Sequence, residues 1–223
     1  QREVAHARQA VAVSLGAQPR EIIFTSGGTE ANNLAVLGGA AAGRRRGKRI
    51  VTTAIEHPSV LEPMRQLEKE GFEVVFLTPD ADGRVPEEAV LKAVIGDTIL
   101  ISVMAVNNEL GSIQPIEVLK KAVKRAGAPA LVHVDGVQAY GKLPLRPEKL
   151  GIDLLTVSGH KIHGPKGVGA LYVSKNARIL PRTFGGGQER ELRPGTEAAP
   201  LIAGLGAAVE EIGRASCREM GSI

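Results

Sequence analysis

The segment Ser158-Gly-His-Lys-Ile-His-Gly-Pro-Lys-Gly-Val-Gly169 lies between two apolar runs, residues 152–157 and 170–173. Both runs have the composition of short buried strands, whereas the segment itself is too polar for a core and too rich in glycine for a helix. Lys161 is therefore predicted at a strand end, with His160 and Lys166 as a cationic surrounding that would favour its neutral, nucleophilic form. A lone lysine is more often a solvated surface charge, so the prediction depends on the rest of the chain.

Four other polar clusters follow predicted strands in the same way. Gly28-Thr29 follows the predicted strand 21–25, His57 follows the strand 50–53, and Asn108 follows the strand 98–104. Asp135 is the last residue of the predicted strand 131–135, and Gln138 lies three residues after it. Helices are predicted at 3–15, 31–42, 60–70, 86–94 and 116–126, and another strand at 73–77. This alternation predicts an α/β fold with three layers, in which helices cover both faces of a mostly parallel central sheet. Because parallel strands end at one edge of a sheet, the five clusters are expected to converge on one site.

The composition narrows the classes of partner. The net charge is +4, and the basic run 44–49 is read as a solvated helix end rather than a nucleic-acid patch, because no aromatic platform accompanies it. Cys217 is the single cysteine, which excludes an internal disulfide and favours a reducing, cytoplasmic location. No apolar run approaches the roughly 20 residues of a membrane span, and the N-terminus lacks a signal-peptide pattern. We therefore expect neither direct nucleic-acid binding nor membrane insertion.

The converging residues suggest pyridoxal 5'-phosphate as the cofactor. A lysine amine can form an imine with its aldehyde, and an aspartate can keep its pyridine nitrogen protonated so that the ring accepts electrons. A histidine such as His57 can lie flat against the ring. The Gly28-Thr29 turn, at the predicted start of a helix, can bind the phosphate through free N–H groups and a hydroxyl.

Six segments, taken together, carry a specific resemblance. They are Thr25-Ser-Gly-Gly-Thr-Glu-Ala-Asn-Asn33, Glu56-His57, Val106-Asn-Asn-Glu-Leu-Gly111, His133-Val-Asp-Gly-Val-Gln138, Ser158 to Gly167, and Gly185-Gly-Gly-Gln-Glu-Arg with Arg193-Pro-Gly-Thr196. In this order they resemble the cysteine desulfurases of the NifS/IscS type, class V aminotransferases with the type I pyridoxal-phosphate fold. The resemblance implies the large, cofactor-binding domain of that fold.

The resemblance also implies a role for each site residue. Lys161, His57 and Asp135 would be catalytic: Lys161 would hold the aldehyde, His57 would stack on the ring, and Asp135 would pair with the pyridine nitrogen. Gln138 would bind the phenolic oxygen, with Asn108 near that oxygen and the substrate carboxylate. The phosphate would be bound by Gly28, Thr29, Ser158 and His160, and by Thr196 of a partner subunit, which implies a homodimer. No metal site is implied.

The implied reaction converts L-cysteine to L-alanine and transfers sulfur to an enzyme cysteine. The sulfur would pass to an acceptor scaffold for iron–sulfur cluster assembly or to a tRNA-thiolation protein. Two other interpretations stay open. One is another class V enzyme, such as a selenocysteine lyase or an aminotransferase, and the other is a non-catalytic scaffold that binds a sulfur acceptor.

The chain departs from the family pattern at both ends. By the resemblance, residues 1–210 are expected to correspond to the large domain, and the N-terminal segment, the small C-terminal domain and the nucleophilic cysteine of the family are expected to lie outside this stretch. Cys217 falls in a helix-like region rather than a mobile loop, so this stretch alone is expected to release no sulfide. Residues 211–219 resemble a translated sequencing adapter, which makes 211–223 a possible non-native tail.

Overall fold

One seven-stranded sheet places all the predicted strand ends relative to one another. The computed structural model describes the backbone of residues 1–220 and the side chains of residues 1–213. The strand order is β1-β7-β6-β5-β4-β2-β3. The strands are β1 (Ile22–Thr25), β2 (Arg49–Thr53), β3 (Glu73–Leu77), β4 (Thr98–Met104), β5 (Leu131–Asp135), β6 (Leu154–Ser158) and β7 (Gly169–Val173).

The sheet is mostly parallel, as predicted. Strands β3, β2, β4, β5 and β6 pair in parallel in that spatial order, whereas β7 runs antiparallel to both β6 and β1. Gly169, the first residue of β7, is the pairing partner of both Ser158 and Thr25, the last residues of β6 and β1. The reversed strand therefore begins at the edge where its neighbours end.

Helices cover both faces, which confirms the three-layer prediction. The helices are α1 (Arg2–Leu15), α2 (Gly28–Gly43), α3 (Pro58–Lys69), α4 (Glu87–Ala93), α5 (Glu117–Ala126), α6 (Pro147–Leu150) and α7 (Ala199–Met220). Apolar side chains of α2 and α3 pack in one core, and those of α1, α4, α5 and α7 pack in the other. Successive strand residues alternate between the two cores: Leu154 enters one and Leu155 the other. Burial on both faces explains why the strands are apolar runs without polar alternation.

Short elements were missed by the sequence interpretation. Helix α6 and the 3₁₀ helices Pro19–Glu21, Gly159–Ile162 and Gln188–Glu191 are each too short to show a period. Helix α2 begins at Gly28 rather than at residue 31, because its first turn is polar and lies outside the apolar stretch used to predict it. Among the helices described, none is both long enough and apolar enough to cross a membrane.

The predicted tail lies mostly outside the described side chains. The backbone of α7 continues through residue 217, in agreement with the helical prediction for Cys217. Side chains are described only through Gly213. That residues 211–223 form a non-native tail stays a prediction.

Candidate active site

Eight of the ten predicted site residues line one cavity of about 230 Å³ at the carboxyl edge of the sheet. Each comes from a segment that follows a strand or begins a helix, so the sheet brings together residues that are distant in sequence. The eight are Gly28, Thr29, His57, Asn108, Asp135, Gln138, His160 and Lys161. The convergence expected from the parallel strand ends is therefore present, while the role of each residue remains a prediction.

The other two predicted residues lie outside the cavity lining. Ser158 is buried, and its Oγ is 2.8 Å from His160 Nδ1, so it contacts the cavity through that histidine. Thr196 is exposed. It follows Arg193, whose Nε donates to Glu30 Oε1 at 2.8 Å. Because Glu30 lies in the first turn of α2, this ion pair holds the loop of Thr196 beside the start of that helix.

The turn before α2 forms a small open cradle. Gly27 precedes the helix at φ 149°, a conformation that favours glycine, and no side chain among those described caps the helix N-terminus. A Cβ on Gly28 would lie 2.9 Å from Val137 Cγ2, so a larger residue would push into the segment after β5. Uncapped N–H groups, the positive end of the helix dipole and the Thr29 hydroxyl suit an anion such as phosphate.

Lys161 lies in the 3₁₀ helix Gly159–Ile162, directly after β6. It is half-buried and lines the cavity. The electrostatics of the site do not favour the cationic role predicted for its neighbour His160. Partial burial, together with the charges of Lys161 and Lys166, lowers the pKa of His160, which favours the neutral imidazole. His160 is better suited to hydrogen bonding than to placing a positive charge beside the lysine.

Asp135, the last residue of β5, is 6% exposed. Its Oδ1 accepts from the backbone N–H of Val137 at 2.9 Å, and its Oδ2 accepts from Asn32 Nδ2 at 2.8 Å. Burial raises the pKa of Asp135, against these two bonds and nearby His57, which lower it. The two hydrogen-bond donors therefore offset part of the desolvation cost of the buried Asp135 carboxylate. A cationic group in the cavity would stabilise the carboxylate further.

His57 is the residue that precedes α3. Its Nδ1 accepts from the backbone N–H of Ser59 at 3.1 Å, which caps the helix. The ring is exposed toward the cavity. Capping therefore fixes one edge of the imidazole and leaves the ring available to a ligand.

The adjacent residues Asn107 and Asn108 have different environments. Asn107 is buried, and its Nδ2 donates to the carbonyl of Ile55 at 2.8 Å. Its Oδ1 accepts from the backbone N–H groups of Glu109 and Leu110. These bonds shape the loop that places exposed Asn108 at the cavity.

Four lining residues were not predicted: Asn32, Ser59, Met104 and Val137. Asn32 and Ser59 lie three and two residues after predicted site residues, Thr29 and His57. On a helix, residues three apart share a face, so the helical phase of α2 could have indicated Asn32. No comparable pattern marks Met104 or Val137.

Glu56 lies directly before His57 and is 4% exposed. Its Oε1 accepts from Thr53 Oγ1 and from the backbone N–H of Met104, both at 2.8 Å. Its Oε2 has no hydrogen-bond partner among the described residues. Burial raises the pKa of Glu56 from 4.5 to about 8, so the side chain is mostly a neutral acid at pH 7. It joins the segment of His57 to the end of β4 without adding a charge beneath the cavity.

Glu56 gives the fold a pH dependence that can be measured. Above pH 4.5 the unfolded state releases the Glu56 proton, whereas the folded state keeps it up to about pH 8. The contribution of Glu56 to the free energy of unfolding is therefore complete below pH 4.5 and is lost as the pH rises through about 8. Between pH 7 and 9 the free energy of unfolding should fall by about 1 kcal/mol from this group. Glu56→Gln, which mimics the neutral acid, should remove that component in urea titrations. Glu68→Gln, an exposed position, is the control, and equal pH slopes for Glu56→Gln and the parent would contradict the assignment.

Comparisons with known proteins agree on one family. The aminotransferase class-V model matches residues 1–221. The chain is 48% identical over 207 residues to "Cysteine desulfurase IscS" of Dictyoglomus turgidum, covering 93% of this chain and 52% of that protein. It is 49% identical over 207 residues to "Putative cysteine desulfurase IscS 1" of Bacillus subtilis, covering 93% and 54%. The chain thus spans about half the length of these curated relatives.

Solved structures give the same result. A structure titled "NIFS-LIKE PROTEIN" superposes with a TM-score of 0.91 at 45% identity, over 95% of this chain and 58% of that one. A second, "SspA in complex with cysteine", superposes with a TM-score of 0.89 at 43% identity, over 94% and 60%. The α/β fold is therefore shared with NifS-like proteins.

Proposed function

The chain belongs to the aminotransferase class V family, and from this premise we propose that it is the cofactor-binding domain, residues 1–210, of a pyridoxal-phosphate-dependent cysteine desulfurase. The relatives and solved structures that it resembles over nine-tenths of its length support the reaction class. Because it covers about half of those relatives, the activity of the whole protein is part of the proposal.

One observation carries the proposal: Lys161, Asp135 and the start of α2 face the same cavity. Pyridoxal phosphate has an aldehyde, a pyridine nitrogen and a phosphate, which require an amine, a carboxylate and an anion site. The cavity contains one of each, and the uncapped cradle before α2 can accept a phosphate without a competing side chain from the described residues. The residues therefore fit the group.

The remaining site residues are assigned by the contacts that they can make. Thr29 and Gly28 bind the phosphate. Ser158 holds His160, which lines the same cavity, through the 2.8 Å bond, and His160 adds a further phosphate contact. Gln138 donates to the phenolic oxygen, and Asn108 lies at the mouth of the cavity, where it can bind that oxygen or the substrate carboxylate. Thr196, exposed in this chain, reaches the phosphate of a second subunit in a homodimer.

When bound, the cofactor would supply an electron sink for the electron pair left at the Cα atom of an amino acid when a bond there breaks. Asp135 would hold a proton on the ring nitrogen by accepting a hydrogen bond from it, and Val137 and Asn32 hold its carboxylate in place. His57 would stack on the face of the ring and restrict its orientation. Lys161, whose side chain lines the cavity, would hold the cofactor through its amine, and the same amine would be the group available to move a proton at Cα. The sulfur acceptor is a cysteine thiolate other than Cys217.

The proposed substrate is L-cysteine, and the proposed products are L-alanine and a sulfur atom carried by an enzyme cysteine. The sulfur passes to an iron–sulfur assembly scaffold or a tRNA-thiolation protein. The single cysteine favours a reducing compartment such as the cytoplasm.

The experiment that tests this function expresses the complete reading frame of the gene, loads the protein with pyridoxal phosphate and adds L-cysteine under reducing conditions. We expect sulfide and L-alanine in equal amounts, and neither product from the Lys161→Ala variant. Transfer of the amino group to an oxo acid without sulfide would identify an aminotransferase. Turnover of L-selenocysteine alone would identify a selenocysteine lyase. Absence of cofactor binding would favour a non-catalytic scaffold.

A further inference from the structure

Two buried polar side chains connect Asp135 to His57. Asn32 Nδ2 lies 2.8 Å from Asp135 Oδ2 and 2.9 Å from Ser59 Oγ. Ser59 Oγ lies 2.8 Å from His57 Nδ1. Asn32 is 1% exposed and Ser59 8% exposed, so water does not compete strongly for these bonds. The two groups at opposite ends of this chain of bonds, the carboxylate and the imidazole, both line the cavity.

The direction of each hydrogen bond follows from the atoms involved. The Asp135 carboxylate can only accept, so the Asn32 amide nitrogen must face it and donate. The second N–H of the same nitrogen then donates to Ser59 Oγ, which leaves the single Ser59 hydroxyl hydrogen free to donate. His57 Nδ1 already accepts the backbone N–H of Ser59 at 3.1 Å, so it carries no hydrogen and accepts the hydroxyl as well. A neutral His57 must therefore carry its hydrogen on Nε2.

The buried amide has a cost that packing alone does not explain. Asn32 Oδ1 has no hydrogen-bond partner among the described residues, and an unsatisfied buried acceptor is destabilising. Asparagine is also a weaker helix former than alanine or leucine inside a helix such as α2. The two hydrogen bonds that Asn32 donates, to Asp135 and to Ser59, offset this cost.

We propose that Asn32 and Ser59 are positioning residues that fix His57 in its Nε2-protonated form and hold the Asp135 carboxylate toward the cavity. One set of hydrogen bonds thereby orients both His57, assigned to the face of the cofactor ring, and Asp135, assigned to its nitrogen. The part that concerns the cofactor rests on the proposed function. The His57 tautomer and its dependence on Ser59 do not, because they belong to the chain without cofactor.

The first test reads the tautomer directly. Long-range ¹⁵N–¹H correlation spectra of the cofactor-free chain, with His57 assigned through His57→Gln, should show a protonated Nε2 and an unprotonated Nδ1. Ser59→Ala removes one of the two donors to Nδ1 and should raise the minor, Nδ1-protonated population about fivefold. Ser59→Thr, which keeps the hydroxyl, should restore the parent ratio. A protonated Nδ1 in the parent, or a ratio unchanged in Ser59→Ala, would overturn the proposal.

The second test measures coupling between Asn32 and Asp135. Pyridoxamine phosphate, which has no aldehyde, is titrated into the parent, Asn32→Leu, Asp135→Asn and the double variant. Asn32→Leu should weaken binding about 5- to 10-fold in the parent background and have little further effect in the Asp135→Asn background. Asn176→Leu, an exposed position on the far side of β7, should bind like the parent. Asn32→Ala takes the place of Asn32→Leu if circular dichroism shows that the latter is unfolded.

The outcomes separate the two proposals. Equal effects of Asn32→Leu in both backgrounds, with binding that still depends on Asp135, would overturn the positioning role and leave the proposed function intact. Failure of the parent to bind pyridoxamine phosphate would count against the proposed function, while the tautomer measurement would still decide the role of Ser59.

Discussion

Replacing Lys161 with alanine is expected to abolish covalent attachment of pyridoxal phosphate and to weaken its retention at least about 100-fold. The lysine follows β6 in a short 3₁₀ helix and lines the cavity together with Asp135 and Thr29. Without Nζ the aldehyde would have no amine in the cavity to react with, and only weak binding is expected from the cradle before α2 and from Asp135. Absorbance after exhaustive dialysis, read at the imine band near the edge of the visible range, measures the loss.

Lys166 provides the matched control for this prediction. It lies in the same glycine-rich segment, five residues after Lys161, and it is exposed. Lys166→Ala should therefore retain the cofactor as the parent does. Equal retention by Lys161→Ala and Lys166→Ala would show that the cavity amine is not the attachment point.

Replacing Asp135 with asparagine should weaken binding of pyridoxamine phosphate by about 10- to 100-fold, the range expected for loss of one hydrogen bond between charged groups. The substitution keeps the size of the side chain, so the oxygen that accepts from Val137 N can be preserved. It removes the negative charge that we propose pairs with a protonated ring nitrogen, and it places an amide donor against Asn32 Nδ2. The ring nitrogen of bound ¹⁵N-labelled cofactor should consequently lose its proton.

The control for this prediction is Asp82→Asn, at an exposed loop position. It makes the same change in charge without touching the cavity, so its dissociation constant should match that of the parent. A ring nitrogen that stays protonated in Asp135→Asn would show that another group performs the role assigned here to Asp135.

The strands and their convergence could be predicted because they depend on local composition. Runs such as residues 98–104 and 131–135 are buried on both faces, and that burial leaves an uninterrupted apolar signal. Once the sheet is parallel, its geometry alone brings His57, Asp135 and Lys161 to one edge. The roles of these residues toward a cofactor came from the resemblance of the motifs, and they stay predictions.

The connections beneath the site could not be predicted, because they link residues far apart in sequence. The bond between Asn32 and Asp135 spans 103 positions, and that between Glu56 and Met104 spans 48. Helical phase places both Asn32 and Asn33, three and four residues after Thr29, near the same face of α2, so it does not separate them. In the structure the Asn33 side chain donates to the Thr29 carbonyl within α2, whereas Asn32 reaches Asp135. The neutral state expected for Glu56 arises from burial between β2 and β4, which only the folded chain provides. The reversal of β7 likewise depends on pairing with both β6 and β1.

The most direct test of the central claim is to identify the residue that holds the cofactor. The chain is incubated with pyridoxal phosphate, reduced with borohydride and digested, and the modified peptide is sequenced by mass spectrometry. We expect a single modified residue, Lys161, at close to one cofactor per chain. Modification of a different lysine, or a scatter of low-level modification over the exposed lysines with none concentrated at Lys161, would contradict the assignment of this cavity as a pyridoxal-phosphate site.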